Sequence, residues 1–327
     1  MAGIGEKSAY EGRKNRVIGV FCKSLFVDVQ NDKAITCFFH FFNVGTILTL
    51  QERKTVMNVF ENIVIGKSSI PALAITIILM IAIPLLFFIC WRRKHREQTN
   101  IGYLIAGAIG FIVCARMLEL GVHYFCLMAD NPVSRFINGS TVAYVLYGTI
   151  MAGVFEECGR YIVLKYVMKK NRTRENAVMY GIGHGGIEIL AVLLPSMILY
   201  LVIAVLFSNG DVESALSTLK ITEQTAASAL PSILAAASFN FTLTALSVIE
   251  RLLAMLLHIG LTVIVYFGVV NSKKIFLPAA ILLHMLTDTF AALYQRGVMP
   301  IWLVEVWTAL WTAATLIIAV KLYRKMR

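Results

Sequence analysis

Long apolar segments constrain this chain more than any other feature. A helix that crosses a bilayer needs about 20 consecutive, mostly apolar residues. The sequence contains seven such segments, at about 70–91, 102–128, 142–168, 177–207, 249–271, 275–295 and 301–322. Of the 327 residues, 58% are hydrophobic and 15% are charged, whereas soluble domains have about 25% charged residues. This composition excludes an ordinary soluble enzyme, a disordered protein and a fibre, and it predicts an integral membrane protein.

The cysteine, proline and charge content narrows the class further. Six cysteines without a CxxC pair and seven prolines are too few for a disulfide scaffold or a proline-rich linker. The net charge of +11 would be compatible with nucleic-acid binding in a soluble protein. In a chain this apolar, it indicates basic loops that face the cytoplasm and anionic lipid headgroups. We therefore expect the lipid bilayer, and no nucleic acid, as a partner.

The basic residues of the predicted loops indicate the orientation of the chain. If the loop after the first predicted span lies inside, the loops after the third, fifth and seventh spans lie inside as well. These four segments contain fifteen Lys and Arg residues, whereas the other loops contain three. Because cytoplasmic loops are enriched in Lys and Arg, we expect a multi-pass protein of the cell membrane with a cytoplasmic C-terminus.

Two regions lie outside the seven predicted spans. Residues 208–248 include an apolar stretch that is short and rich in Ala, Ser and Thr, and an eighth span there would remove the charge asymmetry. We expect an interfacial or re-entrant helix in this region. Residues 1–56 are basic and have no full-length apolar segment, so we interpret them as an extension of the reading frame or a dispensable, disordered arm. The predicted fold is an all-α polytopic membrane helix bundle, with residues 57–327 as its single domain.

Ionisable residues inside the third predicted span point to function. A charged side chain at mid-bilayer costs at least about 2.5–3.5 kcal/mol on insertion scales, so such residues are rare unless they are paired or functional. Glu156 and Arg160 are four residues apart and share one helix face, while Glu157 is turned away from them. One arginine leaves one of the two carboxylates unpaired, which suits a general base. The alternative is an ion pair that only packs helices.

Three further spans each combine a histidine with a charged residue on the same helix face. These pairs are His184 with Glu188 in the glycine-rich segment GIGHGGIE, Arg251 with His258, and His284 with Asp288. An aspartate in this position can orient the imidazole and fix its tautomer. The alternatives are a glycine packing seam and buried structural histidines. The second span contains Arg116, Glu119 and His123, which can satisfy one another, and we interpret them as structural.

Carboxylates and histidines gathered in one cavity support two mechanisms of peptide hydrolysis. They can hold a divalent metal ion, because histidine and carboxylate ligands with an open water position form the shell of zinc hydrolases. Alternatively, a glutamate and a histidine activate water directly while other donors stabilise the oxyanion. The signature HExxH of soluble metalloproteases is absent from the sequence.

Four short motifs, in this order on successive spans, resemble those of the YhfC family of intramembrane metalloproteases. The motifs are EECGR, GHGGIE, ERLLAMLLH and HMLTD, and the resemblance covers about residues 57–325. The family is related to the PrsW and CAAX-protease (CPBP/ABI) group. Arg160 stands where PrsW-like proteins have Lys, and Asp288 where CAAX-type proteins have Asn. The resemblance implies a seven- or eight-helix protease with a water-filled cavity, in which the first glutamate activates water and the histidines bind metal or the oxyanion.

The leading hypothesis is an intramembrane endopeptidase that cleaves a membrane protein or a lipid-anchored peptide. The catalytic candidates are Glu156, Glu157, Arg160, Glu188 and Asp288, and the metal candidates are His184, His258 and His284, with Zn²⁺ as the candidate ion. Two alternatives stay open. Proton- or metal-coupled transporters also contain intramembrane Glu, His and Asp, although no inverted repeat is evident. A non-catalytic membrane protein that binds peptides is the other alternative.

Overall fold

The computed structural model describes residues 60–222 and 225–326, so the interpretation of residues 1–56 lies outside the described part. Within these ranges the chain forms helices and no strand. The helices are α1 (Ser69–Lys94), α2 (Ile101–Met128), α3 (Pro132–Gly139), α4 (Thr141–Ile162), α5 (Arg174–Ser208), α6 (Val212–Thr218), α7 (Ala226–Ser238), α8 (Phe241–Val270), α9 (Phe276–Gln295) and α10 (Ile301–Lys325). The prediction of an all-α polytopic membrane bundle is confirmed.

Six of the described helices are long and apolar enough to cross a bilayer, namely α1, α2, α5, α8, α9 and α10. The remaining predicted span corresponds to α4, which has 22 residues but three charged side chains. It still runs across the bundle. Near its start, the Tyr144 hydroxyl donates to Gln295 Oε1 at the end of α9 (2.8 Å). At its other end α4 continues as a π-helical segment, Val163–Val167, and beyond it the carbonyl of Lys170 accepts from the Tyr103 hydroxyl at the start of α2 (2.9 Å).

The basic loops meet at one end of the bundle, which we call the basic face. Trp91 at the end of α1 donates through Nε1 to the carbonyl of Glu175 at the start of α5 (3.1 Å). Arg174 donates to the carbonyl of Met326, just beyond α10 (3.0 Å). The ends of α1, α4 and α10 and the starts of α2 and α5 therefore lie together, as the distribution of Lys and Arg predicts.

The other end of the bundle, which we call the opposite face, is organised around the short helix α3. Asn138 donates through Nδ2 to the carbonyl of Leu127 at the end of α2 (2.8 Å). Arg296, just after α9, donates to the carbonyl of Asn138 (2.9 Å). The ends of α2 and α9 thus share this face with the start of α4.

The region predicted to be interfacial or re-entrant forms two short helices, α6 and α7, and the start of α8. Helix α7 has 13 residues, or about 20 Å at 1.5 Å per residue, which is too short to cross a bilayer. Its residues Ala226, Ile233 and Ala236 are fully buried in the apolar core against α1 and α5. Helix α8 begins at Phe241, not at residue 249 as predicted, because the side chain of Asn240 caps it by accepting from the amide of Leu243 (3.1 Å).

Two glycines allow the backbones of α2 and α5 to touch. A Cβ atom added to Gly107 would lie 2.2 Å from the carbonyl oxygen of Tyr180, and one added to Gly183 would lie 1.9 Å from that of Leu104. Small residues permit this close approach between membrane helices. Beyond this contact, α2 contains π-helical segments at Ile112–Leu118 and Tyr124–Met128, and its second half packs chiefly against α3 and α4.

The glycine contact predicts a position-specific loss of stability. Gly107→Ala forces the two backbones apart, and such overpacking costs about 1–3 kcal/mol, so we expect a lower melting temperature of the purified protein in detergent. Gly121→Ala on the same helix is the control, because an added Cβ meets no atom within 4 Å there. The control should melt at the wild-type temperature or slightly above it, since Ala favours helices over Gly by about 0.5–1 kcal/mol. Equal melting of both variants would contradict the proposed contact.

Candidate functional site

The histidines of α5, α8 and α9 meet near the middle of the bundle. The ring centroids of His184 and His258 are 4.8 Å apart, and those of His258 and His284 are 5.6 Å apart. Each of these residues is at most 3% exposed. Met255 belongs to the apolar core on one side of this site, and Leu257 belongs to the core on the other side. The three rings therefore lie between the two apolar cores of the bundle.

Glu156 joins two of these histidines in one compact group. Its Oε2 lies 3.0 Å from Nε2 of His184 and 3.8 Å from Nδ1 of His258. One ligand atom from each of the three residues lies within 4.8 Å of the other two. Among the described residues, no other His, Cys, Asp or Glu side chains form a group of three at this spacing. One carboxylate and two imidazoles are the ligand types of catalytic zinc sites.

Arg160 pairs with Glu157, whereas the spacing in the sequence predicts that it pairs with Glu156. Arg160 donates through one terminal nitrogen to both carboxylate oxygens of Glu157, at 2.8 Å each. Both side chains are fully buried. Residues three apart are as close on a helix surface as residues four apart, and Glu156 is held by His184 instead. The pairing of Arg160 with Glu156 that the spacing predicts is therefore wrong: Arg160 pairs with Glu157, and Glu156 pairs with His184.

The second terminal nitrogen of Arg160 fixes the tautomer of His258. It lies 3.1 Å from Nδ1 of the ring. A guanidinium can only donate, so Nδ1 accepts and the neutral ring has its proton on Nε2. That nitrogen lies 2.5 Å from Oε2 of Glu188. The other oxygen of Glu188 accepts from Arg251 (3.1 Å), so one line of polar contacts joins α4, α8 and α5.

His284 lies beside this line and outside the group of three. Its Nδ1 is 2.9 Å from Oε1 of Glu157, and its Nε2 is 3.4 Å from Oδ2 of Asp288. Both ring nitrogens therefore face carboxylate oxygens, with Asp288 in the orienting position that the spacing predicts. This arrangement suits a hydrogen-bond donor better than a metal ligand.

A cavity of about 360 Å³ opens onto the site. The predicted residues that line it are Glu156, Glu188, Arg251, His258, His284 and Asp288, and Glu157, Arg160 and His184 are absent from its wall. Of the two adjacent glutamates, Glu156 is therefore the one that meets the cavity.

One polar partner in the cavity wall, Tyr147, is not predicted from the sequence. Glu119 and His123 form the expected pair (3.2 Å), but Nδ1 of His123 also lies 2.8 Å from the hydroxyl of Tyr147 on α4. Arg116, Glu119, His123 and Tyr147 all line the cavity. No local pattern marks Tyr147, because its role depends on how α2 packs against α4.

These features define a polytopic, all-helical membrane protein with a buried histidine–carboxylate site. The family described as YhfC intramembrane metalloprotease matches residues 79–308, and the chain belongs to this family. The uncharacterized membrane protein YhfC of Bacillus subtilis (strain 168) is 33% identical over 243 residues, which cover 72% of this chain and 88% of that protein. No solved structure matches the chain. The relation to the PrsW and CAAX-protease group stays a prediction.

The buried pair on α4 predicts a large stability effect. Glu157→Gln leaves Arg160 as a charge without its carboxylate, and breaking a buried pair in this way costs about 3–5 kcal/mol. We expect a strongly lowered melting temperature in detergent. The control is Asp130→Asn, which removes the partner of Arg135 from an ion pair whose side chains are 63% and 88% exposed. Because exposed pairs contribute little, the control should melt like wild type, and a similar result for Glu157→Gln would contradict the assignment.

Proposed function

We propose that the protein is an intramembrane endopeptidase in which Glu156 accepts the proton of the attacking water. The observation behind this proposal is the division between the adjacent glutamates: Glu156 lines the cavity, while Glu157 is held by Arg160 and His284. A general base must reach the water that it deprotonates, and this favours Glu156. Membership of a family described as metalloproteases supports the reaction class.

The residues around Glu156 fit a divalent metal ion. Glu156, His184 and His258 offer an oxygen and two nitrogens within 4.8 Å of one another. A histidine nitrogen must be free of a proton to bind metal, as Nδ1 of His258 is. Because its lone pair accepts from Arg160 (3.1 Å), binding of the ion requires Arg160 to turn away from this nitrogen. His184 and His258 would hold the ion beside Glu156, and a bound Zn²⁺ would polarise the scissile carbonyl group and make bound water more acidic.

The remaining polar residues position the reacting groups. His284 lines the cavity between Glu157 and Asp288, and we assign it the role of donor to the oxyanion. Arg160 and Glu188 are positioning residues, because they fix the tautomer and the orientation of His258. The substrate class is a membrane protein or a lipid-anchored peptide.

The metal assignment predicts how the purified protein responds to single substitutions. We expect about one zinc per chain in wild type and a loss of zinc in His184→Ala and in His258→Ala, measured by elemental analysis. The control is His95→Ala, because His95 packs against Trp91 at the basic face. Zinc retained by both site variants would contradict this ligand set. A metal-free wild type with intact cleavage would leave Glu156 to activate water directly.

The endopeptidase proposal predicts new protein ends in the membrane. Membranes from cells that produce wild type should contain membrane-protein N-termini that are absent from cells producing Glu156→Gln, as measured by mass spectrometry of N-terminal peptides. Glu213→Gln is the control, because Glu213 is exposed on α6 and its loss should change nothing. Identical N-termini in wild type and Glu156→Gln would contradict proteolysis. Zinc uptake by proteoliposomes without cleavage would instead favour the transporter.

A further inference from the structure

The cavity extends from the site toward one end of the bundle. Along α9 its lining runs from His284 to Gln295, and along α4 it runs from Glu156 to Tyr144. The two residues of each pair are eleven and twelve positions apart, respectively, or about 16–18 Å at 1.5 Å per residue. Tyr144 and Gln295 are hydrogen-bonded to each other at the opposite face. Asn138 of α3 also lines the cavity and is exposed at that face, so the mouth of the cavity lies there.

Aromatic side chains close the other end. The rings of Phe111 and Tyr180 lie 5.1 and 6.3 Å from the ring of His184. Tyr103 and Tyr266 lie closer to the basic face, and each of these four aromatic residues is at most 1% exposed. Close packing of this kind leaves little room for water or a peptide. The site is therefore separated from the basic face.

The second half of α2 forms the polar wall of the open end. Its residues Arg116, Glu119 and His123 line the cavity, and Glu250 and Arg251 of α8 line it as well. Beyond the glycine contact with α5, this part of α2 packs chiefly against α3 and α4. A cavity wall of charged groups from α2 and α8 suits the polar backbone of a peptide, because an extended backbone in the membrane needs hydrogen-bond partners.

We propose that the substrate reaches the site from the opposite face, as an extended segment that passes along α2. This inference deepens the proposed endopeptidase function and rests on it for the nature of the substrate. Because the basic face is the one expected in the cytoplasm, access is from the outer side of the membrane. Substrates are then membrane-anchored or exported proteins with a non-helical segment close to the outer surface.

The size of the cavity supports an extended segment. Its volume of about 360 Å³ is near the lower end of the range of about 300–1,000 Å³ that holds small ligands. At about 3.3–3.6 Å per residue of extended chain, a distance of about 16–18 Å corresponds to about five residues. A helix, with a diameter of about 10–12 Å including side chains, would have to unwind before its peptide bond reached Glu156.

Thiol labelling tests the direction of access without any substrate. In a full-length variant without its natural cysteines, single cysteines replace Ala291, which lines the cavity, and Ala280, which is fully buried on the same helix. Lys170→Cys marks the basic face and Val298→Cys marks the opposite face. A membrane-impermeant maleimide is added to intact spheroplasts and to inverted vesicles.

We expect Ala291→Cys to react in the same preparation as Val298→Cys. This preparation should be the spheroplasts, and Ala280→Cys should react in neither. Labelling of Ala291→Cys together with Lys170→Cys, or in neither preparation, would overturn the proposal.

A larger side chain that fills the cavity tests whether access through it is needed for cleavage. An added Cβ at Gly148 meets no atom within 4 Å, and Gly148 lines the cavity. Gly148→Leu should therefore abolish labelling of a cysteine introduced at Ala254, deeper in the cavity, and should abolish formation of the new N-termini. Gly121→Leu on the outside of α2 has the same open space and should leave both unchanged. Unchanged labelling in Gly148→Leu would overturn the access route. Sided labelling without any cleavage by wild type would contradict the endopeptidase and leave the route intact.

Discussion

The structure depends on mutual compensation of charges that lie buried inside the helix bundle. A buried ion is tolerated only when it is paired and hydrogen-bonded. Here Arg160 of α4 donates hydrogen bonds to Glu157 on its own helix and to His258 on α8. Glu188 of α5 contacts His258 and accepts a hydrogen bond from Arg251. Because these contacts cross three helices, they also fix the relative height of the helices in the bundle. The same contacts set the protonation and orientation of the rings around Glu156, so stability and chemistry use one network.

Much of the fold follows from the sequence. Apolar length and the distribution of Lys and Arg predict the spans and the gathering of the basic loops, because both depend on the bilayer as a solvent. The predicted start of α8 at residue 249 is wrong, because Asn240 caps the helix and the helix begins at Phe241, well before the most apolar part of the span. The histidines and acids of α4, α5, α8 and α9 are identifiable from the sequence because burying an ionisable side chain in lipid costs free energy. The structure brings them together.

The partners within the site could not be predicted from spacing alone. Glu156 and Glu157 are both within reach of Arg160 on a helix, and the choice depends on where His184 and His284 lie. Tyr147 joins His123 only through the packing of α2 against α4. The π-helical segments of α2 and the one that follows Glu188 in α5 also shift side chains around the axis, which no regular helical period describes.

The local pairing of Glu157 with Arg160 has a consequence for biosynthesis. The two residues are three positions apart on one helix and neutralise each other there, so α4 is able to enter the bilayer with Glu156 as its one uncompensated charge. Each such charge costs about 2.5–3.5 kcal/mol during insertion. Glu188 and Arg251 are 63 residues apart in the chain, so the compensation of Glu188 by Arg251 has to wait until α8 has been synthesised. Early membrane integration of α4 and late assembly of the site are thereby separated in time.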